Sequence, residues 1–355
     1  MIKKQGMVWF MVVIVSALVS CGKVEETNTV KTVAGYAGYT GTVDGNGTAA
    51  RFDYPYGITT DGTDLYVADT NNHTIRVISV STGTVTTFAG AASTSGSTNG
   101  TGTAARFNHP EGIASDGTNL YVADTGNNTI RQIVISTKAV TTLAGVAGAV
   151  GTADGTGTAA RFNYPTGIST HGGYVYVADT DSHTIRKIVI SSGVVTTLAG
   201  KAATAGSADG TGSSAKFNYP YGISTDGTYV YVADANNNTI RKVVIASGIV
   251  TTLAGSSGSI GSSDGTGTAA RFNYPVGLAM DDSNLYIADT GNNTIRKMVI
   301  SSGDVTTLAG AVDTAGSTDA TGSDARFNYP TGLTVLGDYL YVADAGNSTI
   351  RSVKL

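Results

Sequence analysis

The chain has 355 residues, 41% of them hydrophobic, with 47 glycines, six prolines, one cysteine and a formal charge of −4. That apolar share excludes a disordered chain, and a lone cysteine excludes a disulfide-stapled scaffold. The acidic balance offers little long-range attraction to nucleic acid, so no nucleic-acid partner is expected.

The chain opens with Lys3 and Lys4, followed by an apolar run from Met7 to Val19 that is too short to span a bilayer as a helix, and then Leu18-Val19-Ser20-Cys21. This segment resembles a bacterial lipoprotein signal, with Leu-Val-Ser-Cys as its lipobox. The resemblance implies cleavage before Cys21 and a diacylglycerol on its thiol. The expected organisation is a signal peptide over residues 1–20, a lipidated cysteine and short tether over 21–28, and a folded domain over 29–355. Removing residues 1–20 leaves 20 basic against 26 acidic side chains. Gly22 rather than Asp follows the cysteine, so the likeness to Gram-negative lipoproteins implies an extracytoplasmic protein on the outer membrane or cell surface.

The rest is periodic. Tyr-Val-Ala-Asp ends at Asp69, Asp124, Asp179 and Asp234, as Tyr-Ile-Ala-Asp at Asp289, and again as Tyr-Val-Ala-Asp at Asp344, always 55 residues apart. The six prolines and the Arg of six Thr-Ile-Arg segments keep the same period, so the domain is a repeat array. In the third unit a strand begins at Gly167, a turn falls at His171–Gly173, and Tyr174–Asp179 is a second strand rich in β-formers. Thr184–Ile190 and Val194–Gly200 make two more strands. No stretch keeps a helical period. Four-stranded sheets repeated radially make a β-propeller.

The units resemble NHL repeats through Tyr164-Pro-Thr-Gly-Ile168, Tyr176-Val-Ala-Asp179 and His183-Thr-Ile-Arg186, with the fullest Asn-His form at Asn72-His73. The resemblance covers residues 30–355 and implies an all-β fold, a six-bladed β-propeller of four-stranded antiparallel blades. Thr32-Val-Ala-Gly35 matches the outer strand Thr87-Phe-Ala-Gly90, while the last unit stops at Leu355 before its own outer strand. The N-terminal strand is therefore expected to complete the last blade and close the ring. The family includes metal-dependent lyases, RNA-binding domains and many extracellular modules, so it implies the fold more sharply than the function.

Each chemical motif has a structural reading beside the functional one. The six aspartates end strands before tight turns, where a carboxylate accepts the turn's own backbone N–H groups. The arginines of Thr-Ile-Arg, related by symmetry, are expected to tie each blade to its loop or neighbour. An 18-residue connection such as 35–52 ends in Ala-Arg-Phe, whose Phe is expected to plug the gap between blades. Gly261-Ser-Ser263-Asp-Gly265 and Gly155-Thr-Gly157-Thr-Ala-Ala160 mimic catalytic and dinucleotide strings, but neither has the helix its chemistry requires. No three of the four histidines share one strand level, as a three-His zinc centre would need. His109 and Glu111, flanking Pro110, are the candidate metal half-site at the channel mouth.

Recognition is expected where the units differ. The residue after proline is Tyr56, Glu111, Thr166, Tyr221, Val276 or Thr331, and Tyr36 and Tyr39 distinguish the first long loop. Together with His109 these define the candidate binding face. The expected function is a lipid-anchored, non-catalytic binding or scaffold module, monomeric, taking a protein, peptide or glycan partner through its long-loop face. No catalytic residue or required cofactor is expected. The alternative is a lyase or hydrolase with a divalent metal in the channel. Only about seven tether residues separate Cys21 from the first strand, a reach of roughly 25 Å, which would hold the opposite face toward the membrane.

Overall fold

The computed structural model describes residues 26–355. Cys21, the signal peptide expected over residues 1–20 and most of the expected tether therefore lie outside the described residues. Six antiparallel sheets follow one another around a central axis. In blade 2 the strands run, from the axis outward, Pro110–Ser115, Asn119–Asp124, Thr129–Val134 and Ala139–Gly145. The other blades begin their inner strands at Pro55, Pro165, Pro220, Pro275 and Pro330. Proline suits this place because it starts the strand and its ladder needs no N–H there.

Each blade is four-stranded, as expected, but five of the six add a two-residue fifth strand, such as Gly100–Thr101, pairing with the blade's own outer strand. It is formed by the long connection as it descends the rim. A one-turn 3₁₀ segment, Gly102–Ala104 in blade 2, follows it. Gly102 then joins two blades: its N–H donates to the Lys138 carbonyl of its own blade, and its carbonyl accepts the N–H of Gly90 from the blade before. Its φ of +53° is a conformation that glycine adopts without steric cost.

The ring closes through the N-terminus. Val30–Ala34 pairs antiparallel with Thr349–Lys354, with Val30 opposite Val353 and Thr32 opposite Arg351. Asn28 accepts the N–H of Gly322, taking the place that Lys138 holds for Gly102. Thr32 bonds Asp319 through both its N–H and its hydroxyl.

Six apolar clusters lie between adjacent blades rather than within them. One joins Ala34, Tyr341 and Ile350 of the last blade to Ile58, Leu65 and Ile78 of the first, with Phe52 fully buried at its centre. The recurring Phe of the long connection is thus the plug between blades.

Every unit also buries an arginine. In blade 2 the Arg131 guanidinium donates to Asp124 Oδ2 at 2.7 Å, to the carbonyl of Arg106 at 3.0 Å and to Asn99 Oδ1 at 2.8 Å, and it lies 5.3 Å from the Phe107 ring centroid. Asp124 accepts the Asn108 N–H and the Asn127 side-chain amide as well. The aspartates therefore do not accept the backbone N–H groups of their own turn, as the sequence suggested, but bind a turn side chain, the arginine seven residues on and a loop N–H sixteen residues back. The reason is strand pairing: Asp124 and Arg131 lie on neighbouring strands, where Thr129 faces Asp124 and Arg131 faces Val122.

Candidate functional site

The inner strands approach so closely that glycine is required at the axis. A Cβ on Gly57, Gly112, Gly167, Gly222, Gly277 or Gly332 would run into a backbone carbonyl of the next blade, that of Glu111 in the case of Gly57. Just below, Ile58, Ile113, Ile168, Ile223, Leu278 and Leu333 form an aliphatic belt shared by two cavities. The upper cavity is about 70 Å³ and the lower, bordered by Ser115, Ser169, Thr170 and Ser224, about 180 Å³.

A collar surrounds the upper mouth. The residue before each inner strand is Tyr54, His109, Tyr164, Tyr219, Tyr274 or Tyr329, all with φ between +46° and +56°. Such a backbone is costly for an aromatic residue and persists because its surroundings over-determine it. In each case the preceding blade supplies an acceptor for the strained N–H. His73 Nδ1 accepts from His109 at 3.1 Å, Asn128 Oδ1 from Tyr164 at 2.8 Å and His183 Nδ1 from Tyr219 at 3.2 Å. An accepting Nδ1 carries no proton, and burial lowers the pKa of both His73 and His183, so these histidines are neutral structural acceptors.

The tyrosines interact around the mouth. Tyr54 lies 6.2 Å from Tyr329 and 6.3 Å from Tyr56, and Tyr221 meets Tyr274 edge-on at 5.6 Å. Into this ring reaches Glu111, the one charged residue among the six positions that follow proline. It is 6% exposed. Its Oε1 accepts the Tyr164 hydroxyl at 2.9 Å, while Oε2 is buried with no partner. Desolvation pushes its pKa up to about 7 against the Tyr164 hydrogen bond, and the Asp181 charge adds to the rise. Burial raises the pKa values of Tyr54, Tyr56, Tyr164, Tyr221, Tyr274 and Tyr329, and the Glu111 charge adds to each rise, so it is felt in all five other blades.

The structure separates the residues grouped by sequence. Tyr56, Glu111 and Tyr221 belong to the mouth. Thr166, Val276 and Thr331 are buried in the channel wall rather than exposed, Thr166 and Val276 beside the upper cavity. Thr166 Oγ1 lies 2.6 Å from Thr180 Oγ1, and Thr331 Oγ1 donates to the Tyr56 carbonyl. Tyr36 and Tyr39 are exposed and meet edge-on at 5.1 Å, with the Arg51 guanidinium 5.2 Å from the Tyr36 ring centroid; Tyr36 also lines a rim pocket with Thr48 and Asp319. His109 and Glu111 do not converge either. The imidazole of His109 packs edge-on against His73 at 4.5 Å, whereas Glu111 turns to Tyr164. Among the described residues no group of three or more His, Cys, Asp or Glu side chains is placed to hold a metal ion.

Sequence reasoning missed the pre-proline tyrosines as site residues. Their recurrence was visible, but the left-handed backbone that gathers them at the mouth was not.

The family model of the NHL repeat matches residues 107–133 and 272–298, and that of the LVIVD repeat matches 164–185, 221–240 and 330–350. Human NHL repeat-containing protein 2 is 30% identical over 330 residues, covering 82% of this chain and 45% of that protein, so the chain spans less than half of this relative. Among solved structures, a Bacteroides thetaiotaomicron protein of unknown function superimposes with a TM-score of 0.71 at 22% identity, over 92% of this chain and 75% of the other. An auxiliary nutrient binding protein from the same organism gives 0.69 at 17% identity, over 91% and 75%. These two likenesses concern the fold. With six 55-residue units, matched repeat segments and six blades around one axis, the chain belongs to the NHL-repeat family of six-bladed β-propellers.

Proposed function

We propose that the protein is a lipid-anchored, extracytoplasmic binding module that receives a projecting part of a protein, peptide or glycan partner at the collared mouth of its channel. The observation that carries this reading is a contrast in use. The charged side chains that recur in every blade are spent on buried bonds within the scaffold, whereas the mouth gathers seven tyrosines and one unrepeated carboxylate. Tyrosine supplies large contact area at low conformational cost and a polar end, the combination enriched where proteins meet ligands. The fold likeness to an auxiliary nutrient binding protein is compatible with this role. Anchoring rests on Cys21 and its lipobox, and a metabolic fatty-acid label should mark the wild-type chain but not Cys21→Ala.

A second reading has one observation behind it: a buried Glu111 titrating near neutrality is suited to moving a proton, as a hydrolase or lyase would require.

The test is capture by the immobilised full-length protein from extracytoplasmic extracts. Tyr56→Ala with Tyr221→Ala should abolish capture that Tyr36→Ala with Tyr39→Ala leaves intact. Capture that depends on Tyr36 and Tyr39 instead would move the binding surface to the rim.

A further inference from the structure

Among the described residues no cation faces the buried carboxyl of Glu111, and that is the unsolved element of this molecule. Withdrawing a carboxylate from water costs several kcal/mol unless a cation or hydrogen-bond donors compensate. Elsewhere in the scaffold they do, since each buried aspartate has an arginine. Here the groups that act on the carboxylate from the surrounding blades are the Tyr164 hydroxyl, the like charge of Asp181, and, through electrostatic coupling, the hydroxyls of Tyr54, Tyr56, Tyr221, Tyr274 and Tyr329. One oxygen is left with no donor.

Building on the proposed binding role, the geometry points to a protonated amine as the ligand: an ammonium group whose N–H donors meet Glu111 Oε2 and whose positive charge is faced by the tyrosine collar. Two observations converge on this chemistry. The orphaned oxygen asks for a donor rather than an acceptor. Aromatic rings gathered around the mouth attract a cation, most strongly once it is stripped of water. The upper cavity beside them, about 70 Å³, is lined by Tyr56, Thr166 and Tyr221 but not by Glu111, so an ammonium head seated there meets Oε2 when the carboxylate swings in from Tyr164. The aliphatic belt beneath gives its carbons an apolar floor. The amine is a lysine side chain of a partner or a small free amine.

Calorimetric titration of the full chain in detergent with methylammonium chloride tests this directly, with N-acetyl-lysine amide as the arm representing a peptide source. At pH 8 methylammonium is expected to bind the wild type, and Glu111→Gln should weaken it by about tenfold or more, the size of a lost hydrogen bond to a charged group. Binding to the wild type should strengthen between pH 6 and pH 8, as Glu111 loses its proton while the amine keeps its own, and should stay flat in Glu111→Gln. Tyr221→Leu, which leaves the carboxylate in place, should weaken binding severalfold. Tighter binding of the lysine amide than of methylammonium supports a partner's side chain as the source; the reverse supports a free amine.

Absence of methylammonium binding at pH 8 overturns the inference, as does equal binding of tetramethylammonium, which has no N–H, or of potassium. If partner capture through Tyr56 and Tyr221 survives that result, the amine is wrong and the binding module stands. If capture is lost as well, both fail.

Discussion

Asp124 and Glu111 sit in the same blade, both withdrawn from water and both with pKa values raised by burial, to about 6 and about 7. Asp124 is answered on every side, by Arg131, by the Asn127 amide and by the Asn108 N–H. It recurs in all six units, and so do its arginine and its loop N–H. Glu111 occurs once, bonds one hydroxyl and leaves an oxygen empty. A buried charge that repeats with its partners belongs to the scaffold. One that stands alone and unanswered is a cost the scaffold alone does not require, and a ligand can offset it.

The comparison breaks first at the seam. Deleting Asn28–Gly35 removes the outer strand of the last blade and the Asn28 and Thr32 bonds that fasten it. The melting temperature should fall by about 10 °C or more, with exposure of a strand edge and aggregation. An unchanged melt in a scanning calorimeter would mean that the ring holds without its closing strand.

Next comes the answered charge. Arg131→Met keeps much of the volume but leaves Asp124 buried without its cation, and should lower stability by about 3–5 kcal/mol in urea titrations at neutral pH. Adding Asp124→Asn should recover part of the loss. A cost below about 1 kcal/mol would show that the repeated pair is dispensable.

The unanswered charge should behave in the opposite sense. Because the folded-state pKa of Glu111 lies above its ordinary 4.5, the folded protein binds this proton more tightly than the unfolded chain does. Wild-type stability from this group therefore falls as pH rises from about 4.5 to about 7, then levels off. Glu111→Gln lacks that penalty and should be more stable than wild type above pH 7, by up to about 3 kcal/mol, with the gap closing below about pH 4.5. Destabilisation at pH 8 would mean that the carboxylate is compensated after all.

Much of this architecture was legible in the sequence because a strict period leaves few solutions. The 55-residue spacing set the blade, six copies set the ring, and Thr32-Val-Ala-Gly35 at one end matched the strand missing after Leu355 at the other. Contacts across strands were harder to read. Asp124, Asn127 and Arg131 recur together in fixed spacing in five of the six units, with Ser182 replacing the Asn in the third, which could have signalled a network, yet the local turn offered an equally sound partner. Gly100–Thr101 is too short to carry any alternation, so the fifth strand left no pattern. Thr166, Val276 and Thr331 varied between units and so resembled recognition residues. They are instead part of the channel wall, Thr166 and Val276 beside the upper cavity.

The aliphatic belt from Ile58 to Leu333 borders both the upper and the lower cavity. The two ends of the axis therefore differ in chemistry, aromatic above and hydroxyl-lined below, with apolar side chains between them. A charged occupant held at the mouth gains nothing by passing the belt, so the two ends of one channel can serve different visitors.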